Sequence, residues 1–248
     1  MSTRFAKLLF LVGLVACREG TSLASERVTY SGAPTDVAVA EPVPPCRGCT
    51  IDTPPTRKGD LPLLVVLHGN KEHAKHAAAR WRDAALERGW VVLALECPRA
   101  EGCEDGKWYE WNPAPDWIQD KVDAVARQLP IDRSKRYLAG WSGGASYIGM
   151  NAHRLSGFAA VVFHGGGQPP RGGVDECPSG SLPAYFLVGD GNPAHPAAVR
   201  LKSYLEKCGE ELSWDLLPGA GHGAEAKALD RDKAHAILEW LDRATLGS

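Results

Sequence analysis

Short apolar runs alternate along most of this chain with longer amphipathic stretches. Leu61–His68, Trp90–Leu95, Lys135–Trp141, Phe158–Phe163, Ala184–Val188 and Leu212–Leu217 read as strands. Between and after them, Glu72–Arg88, Asp116–Leu129, Gly143–Leu155, Ala197–Cys208 and Ala224–Leu246 read as helices. Strands that are apolar on both faces need cover on both faces, and helices between consecutive strands provide it. The pattern therefore predicts an α/β fold in three layers, a mostly parallel sheet flanked by helices. Two long loops interrupt the alternation, Glu96–Pro115 and the Gly/Pro-rich His164–Leu182. Neither is long enough for a large cap domain.

The first residues follow a different rule. Arg4 and Lys7 precede the short apolar run Leu8–Val15, which is too short to span a bilayer comfortably and reads as an export signal. It ends in Leu14-Val15-Ala16-Cys17, which resembles the lipobox of bacterial lipoproteins. That resemblance implies lipidation of Cys17 and attachment to a membrane surface in the cell envelope. An ordinary secretory signal cut near Ser22-Leu23-Ala24 is the alternative, and both readings export the protein. Pro34, Pro42, Pro44, Pro45, Pro54 and Pro55 then punctuate a stretch without apolar period. It reads as a tether, in which Val37–Ala40 could add an edge strand. The expected organisation is a leader over 1–17, a tether over 18–58 and one domain over 59–248.

With 248 residues and 44% hydrophobic positions, the chain can bury a substantial core. A formal charge of -2, with scattered Lys and Arg, gives no reason to expect a nucleic-acid partner. Export changes how the 7 cysteines read. Apart from Cys17, an even set remains in an oxidising compartment. Cys97 with Cys103 and Cys177 with Cys208 are candidate disulfides. Cys46-Arg47-Gly48-Cys49 could be a local bridge, a redox pair or half a zinc site. No second pair stands at zinc spacing, and His73 and His76 lack further ligands at suitable spacing, so no metal is expected.

The chemistry concentrates after the strands, where sheets of this kind place their ligand sites. Gly140-Trp141-Ser142-Gly143-Gly144 matches G-x-S-x-G, a nucleophile elbow between a strand and a helix. Asp190 follows the strand ending at Val188, and His222 follows the last strand. A serine needs a base to become nucleophilic, and a carboxylate to orient that base. Asp175 and Asp215 are the rival acids, His195 and His235 the rival bases. His164-Gly165-Gly166-Gly167 looks like an oxyanion loop, but such a loop precedes the nucleophile in sequence. Here it follows, and it is expected to form a wall of the site. Trp108, Tyr109 and Trp111, in the loop after Leu95, are expected to border a substrate pocket, together with Trp141.

From Leu67-His68-Gly69-Asn70, the elbow, Gly189-Asp190 and Gly221-His222, the chain resembles the α/β-hydrolase superfamily over roughly residues 60–248. Its compact length is similar to that of the small carboxylesterase/phospholipase group and of the polyhydroxybutyrate-depolymerase or feruloyl-esterase group. The resemblance implies a serine esterase with a Ser142–His222–Asp190 triad and no cofactor, acting on small or polymeric esters. It also implies oxyanion N–H donors at Gly143 and Asn70. A peptidase of the prolyl-oligopeptidase type shares the triad order, and a non-catalytic binding protein could keep the fold.

Overall fold

The computed structural model describes residues 41–111, 114–173 and 176–244. The leader, Cys17, the Val37–Ala40 run and Asp175 lie outside the described residues.

Seven strands form one sheet: β1 (Thr50–Asp52), β2 (Leu61–Leu67), β3 (Val91–Leu95), β4 (Ile131–Trp141), β5 (Ala160–His164), β6 (Ala184–Gly189) and β7 (Leu212–Leu217). Their spatial order is β1-β3-β2-β4-β5-β6-β7. β1 pairs antiparallel with β3, and every other pairing is parallel. The helices are α1 (Ala74–Glu87), α2 (Asp116–Ala126), α3 (Gly143–Met150), α4 (His195–Lys207), α5 (His222–Ala228) and α6 (Arg231–Asp242).

Strand alternation divides the core in two. From β2, Leu63, Val65 and Leu67 face one side, while Leu64 and Val66 face the other. The first side is closed by Ile118, Val122 and Val125 of α2, Ile148 of α3, and Leu201 and Leu205 of α4. The second is closed by Trp81 of α1 and by Ile237, Leu238 and Leu241 of α6, with many alanines between. Small side chains on α1 let that helix lie close to the sheet.

Two boundaries differ from the pattern reading. The compact body begins at Glu41 rather than residue 59. Thr50–Asp52 joins the sheet as an edge strand, which sequence reading misses because three residues show too little alternation to be recognised. The closing helix is two helices. Asp230 interrupts it and caps α6, its Oδ1 accepting from Lys233 N at 2.8 Å. The cysteines pair as Cys46–Cys49, Cys97–Cys103 and Cys177–Cys208, with Cα separations of 5.3, 5.8 and 5.5 Å.

Candidate active site

β4 delivers Ser142 in a conformation that side chains rarely adopt, with φ 52° and ψ -107°. Such a backbone is held only where its surroundings over-determine it, and it marks functional turns. Gly140 and Gly144 make the turn possible. A Cβ on Gly140 would overlap the backbone of Ala145, and one on Gly144 would come within 2.8 Å of the His68 and Leu67 carbonyl oxygens. Ser142 N donates to His164 O at 2.9 Å, which ties the elbow to the end of β5.

Ser142 shares a cleft of about 550 Å³ with His222. The glycines Gly165, Gly166 and Gly167 line it too, as the sequence led one to expect of a site wall. Gly143 and Asn70 also border the cleft, and their N–H groups meet no backbone acceptor among the described residues. The Asn70 amide packs so closely on Gly143 that a Cβ there would collide with it. Asn70 Oδ1 accepts in turn from Tyr109 N at 3.4 Å.

His222 opens α5, and its ring stacks on Trp141 with centroids 4.5 Å apart and planes 5° apart. Trp141 therefore packs flat against the His222 ring rather than lining the cleft. Arg80 lies over the other part of this stack, 5.1 Å from the Trp141 ring, and makes a two-pronged pair with Glu72 at 2.8 and 3.0 Å. Burial works against the charge on Glu72, but the Arg80 guanidinium outweighs it and keeps the carboxyl below its usual range. Glu72 Oε2 accepts from Gly69 N at 3.2 Å, so this ion pair also anchors the loop that carries Asn70.

The structure does not bring Asp190, the expected acid, to His222. Asp190 is exposed, and its Oδ1 accepts from Gly219 N at 2.5 Å, making it a turn residue. The carboxylate beside His222 is Glu225, one helical turn along α5, with Oε2 3.0 Å from His222 Nδ1. Glu225 is 0% exposed, so its charge depends on hydrogen-bond donors. Gly189 N donates to Oε1 at 2.6 Å, and Asn192 Nδ2 donates to Oε2 at 2.6 Å. Asn192 is itself fixed, its Oδ1 accepting from Ala194 N at 2.9 Å. The loop after β6 thus places a carboxamide, Asn192, against the Glu225 carboxylate, and leaves its own Asp190 outside this group. His164 Nε2–H donates to the Glu225 carbonyl oxygen at 2.8 Å. Burial drives the His164 pKa down to about 4, so the ring is neutral. Asp215 is also removed from the site, bound to Tyr185 and Lys233 at 2.8 and 2.7 Å.

Besides Trp141, two more of the expected pocket aromatics do not face the cleft. Trp108 is 0% exposed and Trp111 3%. They pack with Trp117 and Tyr147 in a cluster with centroid separations of 5.3–6.3 Å. Four large rings bury more apolar area against each other than a shallow cleft could offer. Tyr109, between them in sequence, turns outward and lines the cleft. Arg171 fixes it, donating to Tyr109 O at 2.8 Å and lying 4.9 Å from its ring.

The sheet order, the strained serine and the histidine after the last strand define an α/β-hydrolase fold. Comparisons agree. The chain superposes on the crystal structure of esterase PE8 with a TM-score of 0.62 at 18% identity, covering 77% of this chain and 97% of that one. It superposes on the Bacillus cereus carboxylesterase with a TM-score of 0.59 at 17% identity, covering 79% and 93%. In sequence it is 30% identical over 145 residues to "Putative esterase NocK" of Nocardia uniformis subsp. tsuyamanensis, over 54% of this chain. The chain spans only 41% of the length of that relative. No family model matches the chain.

Proposed function

We propose that the protein is a serine esterase that cleaves carboxylic esters through an acyl-enzyme on Ser142, with His222 as base and Glu225 as orienting acid. The observation that carries this reading is the buried Glu225 carboxylate, held by Gly189 N and Asn192 Nδ2 and set 3.0 Å from His222 Nδ1 beside a strained serine. With Nδ1–H donating to Glu225, His222 Nε2 is left as the proton acceptor. The Ser142 hydroxyl gives its proton to Nε2 as Oγ attacks the ester carbonyl. Gly143 N–H and Asn70 N–H stabilise the oxyanion, each worth roughly 3–4 kcal/mol in the transition state. His222 then protonates the departing alcohol, and water repeats the sequence on the acyl-enzyme.

The lining also favours a short acyl group. Glycines, Ala194, Ala197 and Ser146 surround the serine, with no large aliphatic side chain among them. Each further buried methylene would gain about 0.8 kcal/mol in an apolar tunnel, and here little of that gain is available. The three disulfides favour the exported reading, with Cys17 as lipid anchor; loss of metabolic acyl labelling in Cys17→Ser would test the anchor.

The experiment is fluorophosphonate labelling with the modified residue mapped by mass spectrometry. Modification of Ser142, lost in His222→Ala, is the expected result. Folded, disulfide-intact protein that does not label would refute the esterase reading.

A further inference from the structure

The cleft at Ser142 is not the largest concavity. A pocket of about 880 Å³ opens at the same, carboxyl end of the sheet but nearer the β1 edge, where the Cys46–Cys49 turn and the segment after β3 meet the start of α1. Four cations line it: Arg47, Lys75, Arg99 and Lys121. None of them has a carboxylate partner within salt-bridge distance among the described residues. Two carboxylates stand in the same wall, so cations exceed anions there by two. Glu96 binds His73 Nδ1 at 2.9 Å and caps Ala74 N at 2.8 Å, and Glu101 accepts from Trp117 Nε1 at 2.8 Å. Lys121 sits 4.8 Å from the Trp117 ring. The walls are stiff, because Cys46–Cys49 and Cys97–Cys103 both border the pocket. Gathering unpaired like charges in a chain of net charge -2 costs self-repulsion unless an anion relieves it.

We propose that this pocket is a second ligand site, taking the carboxylate groups of an acidic polysaccharide whose ester is presented to Ser142. The proposal rests on the esterase reading for the second half of that statement only. The pocket follows the carboxyl end of β3, and the cleft follows that of β4, with only β2 between them. Two strand spacings are roughly 10 Å. The loop after β3 joins the two, with Arg99 and Glu101 in the pocket and Tyr109 in the cleft. A chain-like polar ligand can therefore lie across both. A lipid surface fits less well. Among the described residues the exposed large apolar side chains are Val43, Tyr109, Val199 and Leu216, and of these only Tyr109 borders either concavity.

The test begins with Ser142→Ala protein titrated calorimetrically with polygalacturonate oligomers. A neutral dextran oligomer and vesicles of anionic phospholipid serve as the other arms. The expected result is binding of polygalacturonate alone. It should weaken roughly tenfold in Lys75→Glu/Arg99→Glu, the sum of two reversed charges at exposed positions, and fade as salt approaches about 1 M. Absence of binding, binding indifferent to the charge reversal, or binding to vesicles alone would overturn the proposal. In the second arm, wild type and the double variant hydrolyse partially acetylated polygalacturonate and p-nitrophenyl acetate. A KM raised about tenfold on the polymer alone is expected, and equal loss on both esters would contradict it. Turnover of neither ester by wild type would speak against the esterase reading alone, and the titration would still decide the pocket.

Discussion

Two loops leave carboxyl ends of the same sheet, and they solve opposite problems. The loop after β3 is rich in aromatic residues, and it turns Trp108 and Trp111 into the core while leaving Tyr109 outside. The loop after β6, with α5 behind it, buries a carboxylate, a carboxamide and a neutral histidine in one bonded group. In the first region position is set by apolar burial, which is non-directional and demands no matched partners. In the second it is set by donors and acceptors that must each be matched. Lying at a strand end places a residue near the site; only the packing decides which way it faces.

The sharpest way to break this contrast is to remove the reacting atom. Ser142→Ala should lower kcat for p-nitrophenyl acetate by on the order of 10⁶-fold and leave the unfolding midpoint nearly unchanged. Measurable turnover in that variant would mean the polar region is not the active one. Next in size is the aromatic region. Trp108→Ala should cost roughly 3–5 kcal/mol in urea unfolding, with any loss of activity following the loss of fold. A variant of full stability and altered substrate preference would restore Trp108 to the pocket wall.

His164 gives a pH signature of the polar region. Its pKa drops from an ordinary 6.5 to about 4 through burial. Between those values the unfolded chain binds a proton that the folded chain refuses. Its contribution is therefore complete above pH 6.5 and is lost as pH falls toward about 4, by up to about 3 kcal/mol. Denaturation series across that window should show the loss, reduced in His164→Gln. The smallest effect belongs to Tyr109→Ala, which should raise KM by about 1 kcal/mol or less and leave kcat near wild type.

Much of the fold could be read from the chain. Buried strands announce themselves by continuous apolar runs, and the elbow by glycines that have no alternative at a turn this tight. His222 was legible because it follows the last strand in a glycine-rich turn. Glu225 was not. On a helix surface Glu is an ordinary solvated residue, and nothing in a linear chain reports that this one is sealed beneath the sheet ends. The available signal was spacing. His222 and Glu225 stand three apart at a helix start, where side chains at that interval share a face. Asp190 misled because Asp-Gly-Asn-Pro is also strong turn chemistry, and the turn role is the one it takes, bound to Gly219 N.

The central claim is that the orienting acid is Glu225. The direct measurement is kcat for p-nitrophenyl acetate in Glu225→Gln and Asp190→Asn, side by side with wild type, with folding checked by circular dichroism. Replacing the carboxylate by its amide should lower kcat on the order of 10³–10⁴-fold at Glu225, because the imidazole loses its required tautomer, and leave Asp190→Asn within about twofold. A collapse in Asp190→Asn with Glu225→Gln active would contradict the account.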